Sequence, residues 1–288
     1  MQGIIVKGIG GLYYVDINEN VIECKARGKF RHKGETPMIG DEVIIEEENG
    51  KGIIIEILKR RNQLIRPAVA NVTQAFVVVT SKNPDLNLSL LYKFLVLCEY
   101  NNVLPIICFN KMDIESEYSR EIGNMLNEAG YEIMYVQGKH GIGIEKLKKK
   151  INNNITVFCG PSGVGKSTLL NKVLGRDAMK TGDISDKLKR GKHTTRHSEL
   201  IRVEGGFLVD TPGFSSLELD FIDKEELQHL FPEFEGVKDQ CKFNNCVHYK
   251  EPGCFIKEKV ESGEINKSRY EFYIKTLEEI INRGNRKW

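Results

Sequence analysis

Apolar residues follow two rhythms along the chain. Up to about residue 66 they fall in short β-like runs: Gly3 to Ile9, Leu12 to Ile17, Val21 to Lys29, Asp41 to Glu47 and Gly52 to Leu58. Gly, Asn and Pro separate these runs. Five such runs in so short a stretch predict a small barrel of the oligonucleotide-binding type. From about 67 to 154 strands and helices alternate. Strands are expected at Gln74 to Thr80, Leu104 to Asn110 and Tyr131 to Val136, and helices at Leu88 to Tyr100, Ser116 to Ala129 and Ile144 to Ile151. This βαβ rhythm implies a parallel sheet. A further strand, Ile155 to Cys159, precedes a helix beginning near Lys166, and strand character resumes at Ser198 to Val203 and Phe207 to Val209.

The C-terminal part changes again. Short apolar helical segments at 223 to 231 and 255 to 260 precede a longer helix, roughly Ile265 to Asn282. Its stripe of Tyr270, Tyr273, Ile274, Leu277, Ile280 and Ile281 reads as a packing face.

Composition adds boundaries rather than detail. The chain has 288 residues, 40% hydrophobic and 28% charged, with a net charge of +2. That length allows two or three domains, and so mild a charge says nothing about a nucleic-acid partner. No apolar run approaches a membrane span and no signal-peptide pattern opens the chain, so a cytoplasmic protein without membrane contact is expected. Cys98, Cys108 and Cys159 sit in apolar patterns and read as reduced core residues, and Cys24 lies in a short strand.

The strongest chemical signal is Gly160-Pro161-Ser162-Gly163-Val164-Gly165-Lys166-Ser167, a G-x-x-x-x-G-K-[ST] loop between a strand and a helix. Its glycines let successive N–H groups curl around phosphate oxygens, Lys166 reaches the β- and γ-phosphates, and the Ser167 hydroxyl suits Mg²⁺. Thr168 follows in the same first helical turn.

A second signal ends the Leu104 strand: Asn110-Lys111-Met112-Asp113. A carboxylate there can accept the N1–H and N2–H₂ donors of guanine, a donor pair that adenine lacks. The segment Arg176 to Arg196, rich in Lys, Arg and Asp and without apolar periodicity, reads as a mobile loop ending in His193-Thr194-Thr195. After it, Asp210-Thr211-Pro212-Gly213 places a metal-site carboxylate at a strand end, with a glycine N–H three residues on.

Base recognition here precedes the phosphate loop, whereas in an ordinary GTPase it follows. With a barrel before and a Cys/His cluster after, the chain resembles the circularly permuted GTPases of the ribosome small subunit-dependent GTPase A family over nearly its whole length. The resemblance implies three domains: an oligonucleotide-binding barrel at 1–66, a permuted α/β GTPase at 67–220 and a mostly helical zinc domain at 221–288. It further implies GTP hydrolysis to GDP, faster on the small ribosomal subunit and late in that subunit's maturation. Residue by residue, it assigns Asn110, Lys111 and Asp113 to guanine, Gly160 to Thr168 to the phosphates, Thr194-Thr195 to the first switch, with Thr195 favoured over Thr194 as the Mg²⁺ ligand, and Asp210 with Gly213 to the second. Mg²⁺ would be held by Ser167, Thr195 and Asp210. In place of the usual Ser-Ala-Lys stands Gln137-Gly138-Lys139, whose Gly138 N–H is expected at the guanine O6.

Catalysis rests on Lys166 and on a water-orienting group. Phe214 follows Gly213, where many GTPases carry a glutamine, and an apolar side chain cannot orient water. His193 is the substitute by its neutral imidazole and by the resemblance; its alternative role is to stabilise the loop or contact RNA.

Residues 241 to 254 spell C-x₄-C-x-H-x₅-C. Cys241, Cys246, His248 and Cys254 would close one structural zinc site, metal supplying folding energy to segments too small to bury a core. Lys25, Arg27, Lys29, Arg31 and Lys33 occupy alternate positions and, on an extended strand, would form a basic ribbon for rRNA. A monomer is expected. Two other readings stay open at this stage: a P-loop kinase or ATPase, and a non-enzymatic RNA-binding scaffold.

Overall fold

The protein is described from a computed structural model covering all residues except 29, 31–34, 49, 66, 115–116, 176–197, 211–213, 215–216 and 285–288. Strands β1 (Gln2–Ile9), β2 (Leu12–Ile17), β3 (Asn20–Ala26), β4 (Glu42–Glu48) and β5 (Lys51–Ile57) close a barrel in the order β1-β2-β3-β5-β4. Only the β3–β5 pairing is parallel. Alternate residues point inward, so Ile5, Val15, Cys24, Val43, Ile45 and Ile54 fill the interior. A ribbon of β6 (Gln63–Leu64) and β7 (Val69–Ala70) leads out of the barrel. The Arg60 guanidinium fastens this exit by donating two hydrogen bonds to the buried Asp41 carboxylate, at 2.6 and 2.8 Å.

One expectation fails in the barrel. Strand β3 ends at Ala26 rather than Lys29, and the Phe30 N–H turns back onto the Arg27 carbonyl. Phe30 is 4% exposed and joins the barrel core, so burying its ring requires the chain to turn. Of the five cations only Lys25 lies on β3, and Arg27 follows its end.

The second sheet has the order β10-β9-β8-β11-β13-β12. It comprises β8 (Gln74–Thr80), β9 (Leu104–Asn110), β10 (Glu132–Tyr135), β11 (Ile155–Cys159), β12 (Leu200–Val203) and β13 (Gly206–Val209). All pairings are parallel except β12 with β13. Strand β8 is buried throughout, as a central strand covered on both faces must be. Helices α1 (Leu88–Tyr100), α2 (Glu117–Glu128), α3 (Ile144–Ile151) and α4 (Lys166–Leu174) flank it. The period-two alternation of β8 divides the interior: Phe76 and Val78 face α3 and α4, whereas Ala75, Val77 and Val79 face α1 and α2.

Helix α1 is apolar on more than one side, with Leu91, Tyr92, Phe94, Leu95, Val96, Leu97 and Cys98 buried. Its outer face carries the C-terminal segment: 3₁₀ turns at Leu227–Leu230, Pro232–Phe234 and Lys238–Gln240, then α5 (Phe255–Glu261) and α6 (Lys267–Gly284). The helix expected at 223 to 231 is thus a turn followed by 3₁₀, cut short before Pro232. Phe231, Phe234, Tyr273 and Leu277 join the same apolar cluster as Val77 and Leu95. The C-terminal segment therefore shares the core of the sheet, and metal is not its only source of folding energy. Among the described residues no helix is long and apolar enough to cross a membrane.

Candidate nucleotide and metal sites

The order in which strands are added reverses between β8 and β11, which themselves run parallel. Chain order runs from β8 to β9 and β10 on one side, and from β11 to β13 and β12 on the other. Ligands of open α/β sheets bind at the carboxyl ends of strands beside such a switch point. The glycine-rich loop leaves β11 there, and two of its glycines have no alternative. Gly160 has φ 133°, and a Cβ on it would stand 2.1 Å from the Val78 carbonyl oxygen; at Gly165, with φ 95°, a Cβ would stand 2.5 Å from Asn110 Nδ2. Helix α4 begins at Lys166 without a side-chain cap, so its first N–H groups face the loop's mouth. Val164 is buried, Ser162 and Gly163 are exposed, and Ser167 and Thr168 are half-buried in the first turn. The Lys166 ammonium donates to the Gly160 and Pro161 carbonyls at 2.8 and 2.5 Å, and burial lowers its pKa from the usual lysine value.

Asn110 is the hub of this mouth. It is 4% exposed; its Nδ2 donates to the Val164 carbonyl at 2.9 Å, and its Oδ1 accepts the Gly138 N–H at 3.0 Å. One carboxamide thus binds the loop after β11 to the loop after β10. This revises the expectation for Gly138, whose N–H is engaged by Asn110 rather than directed at a base. Lys111, in a left-handed conformation at φ 63°, donates to Gly163 at 2.9 Å and to the Asn83 carbonyl. Asp113 is exposed on the 3₁₀ turn Met112–Ile114.

Asp210 directly follows the end of β13 at Val209 and is half-buried. Its N–H donates to the Glu199 carbonyl, and its Oδ1 accepts the Glu199 N–H, both at 3.0 Å. Phe214 packs against the apolar cluster shared with the C-terminal segment. His193, Thr194, Thr195 and Gly213 lie outside the described residues, as do Lys29, Arg31 and Lys33. Of the remaining cations in that set, Lys25 is exposed and Arg27 pairs with Glu46 at 2.6 Å.

Cys241, Cys246, His248 and Cys254 converge, their donor atoms all within 4.8 Å of one another. His248 Nδ1 lies 3.5, 3.4 and 3.5 Å from the three sulfurs of Cys241, Cys246 and Cys254. Burial pushes the Cys246 thiol up to about 12 and holds the His248 imidazole down to about 4. A neutral imidazole beside the Cys246 and Cys254 thiols, both of which burial keeps protonated, is a donor set completed by a cation, which such a site can hold. The opposite ring nitrogen, Nε2, sits 3.0 Å from Gln228 Oε1. The Tyr270 and Tyr273 hydroxyls donate to the carbonyls of His248 and Val247 at 2.8 and 2.6 Å, tying the cluster to α6. Gln228 carries no sequence signal, because it belongs to no motif and stands twenty residues from its histidine.

A phosphate loop at the switch point, with the Asn-Lys-x-Asp strand end bound to it but preceding it in the chain, defines the class of circularly permuted GTPases. The RsgA GTPase profile matches residues 57–220, and the RsgA N-terminal domain profile matches residues 2–54. The chain belongs to the RsgA GTPase family and is a GTP-hydrolysing enzyme. It is 58% identical to the small ribosomal subunit biogenesis GTPase RsgA of Clostridium perfringens strain 13, over 99% of this chain and 100% of the relative. Among solved structures it resembles YloQ, a circularly permuted GTPase, with TM-score 0.85, 37% identity and coverage of 98% and 95% of the two chains. It also resembles YjeQ from Thermotoga maritima, with TM-score 0.84, 40% identity and coverage of 97% and 98%.

Proposed function

We propose that the chain hydrolyses GTP under control of the small ribosomal subunit and acts in late maturation of that subunit, in the cytoplasm and as a monomer. The observation that carries the nucleotide reading is the Asn110 bridge. That bridge supports a reading in which phosphates lie on Gly160 to Thr168 and Asp113, three residues beyond Asn110, meets the base, its two oxygens accepting the guanine donors. The ribosomal part is supported by the names of the C. perfringens relative and its kin.

In this reading Lys166 leaves its loop carbonyls to meet the β- and γ-phosphate oxygens, an exchange of acceptors for an ammonium already desolvated. Lys111 lays its stem along the base. Held by Ser167, Thr195 and Asp210, Mg²⁺ would neutralise charge on the β- and γ-phosphates. Gly213 offers its N–H to the γ-phosphate, and His193 orients the attacking water, since Phe214 is engaged in apolar packing.

The Cys₃His site is read as structural zinc. A tetrahedron with Zn–S of about 2.3 Å and Zn–N of about 2.0 Å has N···S edges of about 3.5 Å and S···S edges of about 3.8 Å. The N···S distances of 3.4 to 3.5 Å and the Cys241–Cys254 separation of 4.0 Å fit it. Organised as 1–66, 67–220 and 221–288, the chain would grip rRNA through its flanking modules, Lys25 and Arg27 among the barrel contacts.

The test is GTP turnover with and without purified small subunits for wild type, Lys166→Ala and His193→Ala. Stimulation abolished in both variants supports the whole reading. Stimulation retained in His193→Ala removes that residue's role, and no stimulation of wild type removes the subunit as regulator.

A further inference from the structure

Glu199 belongs to no nucleotide signature, yet it stands between the barrel and the second switch. Its main chain holds Asp210 from both sides, through the two 3.0 Å hydrogen bonds described above. Its side chain accepts from the Lys7 ammonium of β1 at 3.0 Å, and Lys7 and Glu199 form an isolated antiparallel bridge that joins the barrel to the edge of the second sheet.

Strand β1 is shaped for this contact. Its register against β2 slips between Ile5 and Lys7, a bulge at Val6. Ile5 lies in the barrel core, whereas Val6 is buried in the large cluster of the second sheet. A bulge re-aims the side chains around it, and here it sends Val6 into one core and Lys7 toward Glu199. Three residues beyond Glu199, Arg202 grips the buried Asp16 of β2 with two hydrogen bonds, at 2.5 and 3.1 Å, while its guanidinium covers the Phe207 ring at 4.8 Å. Because β12 pairs with β13, both tethers act on the hairpin that ends in Asp210. Adhesion between the modules would be served by Val6 and the Arg202–Asp16 pair alone. The Lys7 contact falls instead on the residue whose N–H fixes the Asp210 carboxylate.

We infer that Glu199 is a positioning residue through which the placement of the barrel sets the aim of the Asp210 carboxylate, and with it the affinity of the nucleotide site for its divalent cation. An N–H on one carboxylate oxygen contributes to where the other oxygen points, as outer partners do for metal ligands generally. A barrel displaced by its partner would shift Glu199 and loosen or tighten the cation. This rests on the reading of Asp210 as a metal carboxylate.

The experiment is a Mg²⁺ titration of the binding of a fluorescent, non-hydrolysable GTP analogue, with GTP hydrolysis followed alongside, by full-length Lys7→Glu, Glu199→Lys and the double exchange, with Asp210→Asn as reference. Each single reversal is expected to raise the half-saturating Mg²⁺ about threefold or more, from a half-exposed pair turned repulsive. The double exchange is expected to return it toward the wild-type value, an outcome that general damage to the fold would not produce. If the single variants leave the curve in place while Asp210→Asn displaces it, or if the double exchange restores nothing, the positioning role is wrong. If Asp210→Asn itself leaves the curve unmoved, the metal reading of Asp210 is what fails, and the inference goes with it.

Discussion

The Arg269 guanidinium is fully buried and forms a two-point ion pair with Glu233, Nε to Oε1 at 2.6 Å and Nη2 to Oε2 at 3.0 Å. It lies under the rings of Tyr92, Tyr131 and Phe231, with centroids at 4.9, 5.4 and 4.7 Å. Tyr92 belongs to α1 and Arg269 to α6, so this cation pins the C-terminal segment to the nucleotide-binding sheet. Replacing Arg269 by Ala leaves the Glu233 carboxylate unpaired in an apolar setting. The expected cost is about 3–5 kcal/mol in chemical denaturation, with a smaller loss when both partners become apolar.

The same joint makes stability depend on pH. Burial raises the pKa of Glu99, at the end of α1, from 4.5 to about 7, against the lowering influence of Arg269. The folded state therefore keeps this proton where the unfolded chain has lost it. The contribution is complete below about pH 4.5 and disappears as pH rises through about 7. Thermal midpoints of wild type minus Glu99→Gln are expected to fall between pH 5 and 7 and to level off above that window. A flat difference would mean that Glu99 is solvated as an ordinary surface carboxylate.

Asn110→Ala removes the link between two nucleotide loops and orphans the Gly138 N–H and the Val164 carbonyl. Unpaired buried groups cost about 1–3 kcal/mol, so GDP binding by fluorescence titration is expected to weaken about ten- to hundredfold. Asn110→Asp is expected to fare little better, because a carboxylate cannot donate to Val164.

Several elements were legible to the residue. The expected β2, β8, α1, β9, α3 and β11 coincide with those observed. Buried parallel strands are continuous apolar runs bounded by turns, and amphipathic helices show their period locally. The end of β3 was legible only in part: alternating cations suit an extended strand, Gly28 and Gly34 can break one, and the burial of Phe30 shows that the chain turns. Glu199, Gln228 and Arg269 were hidden for a different reason. Each acts through a partner distant in sequence, Lys7 being 192 residues from Glu199, so no local pattern marks them. Motif spacing marked the residues proposed to touch ligands and was silent on their distant partners.

Asp113→Asn tests guanine selectivity directly. An amide presents a donor where guanine offers one, and it matches the exocyclic carbonyl of xanthine instead. GTP affinity is expected to drop more than about tenfold, from one lost hydrogen bond of about 1 kcal/mol and a donor left facing a donor at about 1 kcal/mol or more, while xanthosine triphosphate gains. Unchanged base preference in competition binding would place the base elsewhere.

Metal removal should melt part of the protein rather than all of it. The Cys₃His loop is tied to α6 by Tyr270 and Tyr273, but Phe231, Phe234 and Leu277 pack into the core of the sheet, which needs no metal. Chelation is therefore expected to strip hydrogen-exchange protection from residues 241–254 and the adjoining face of α6, leaving β8 and β11 protected. Gln228→Ala offers a finer probe. By accepting from His248 Nε2–H it holds Nδ1 toward the three sulfurs, and loss of such an outer partner typically weakens metal binding about 10–100-fold. Competition with a chromogenic chelator should show that loss while the folded sheet persists. Global unfolding on chelation would mean that the metal site supports the shared core instead of resting upon it.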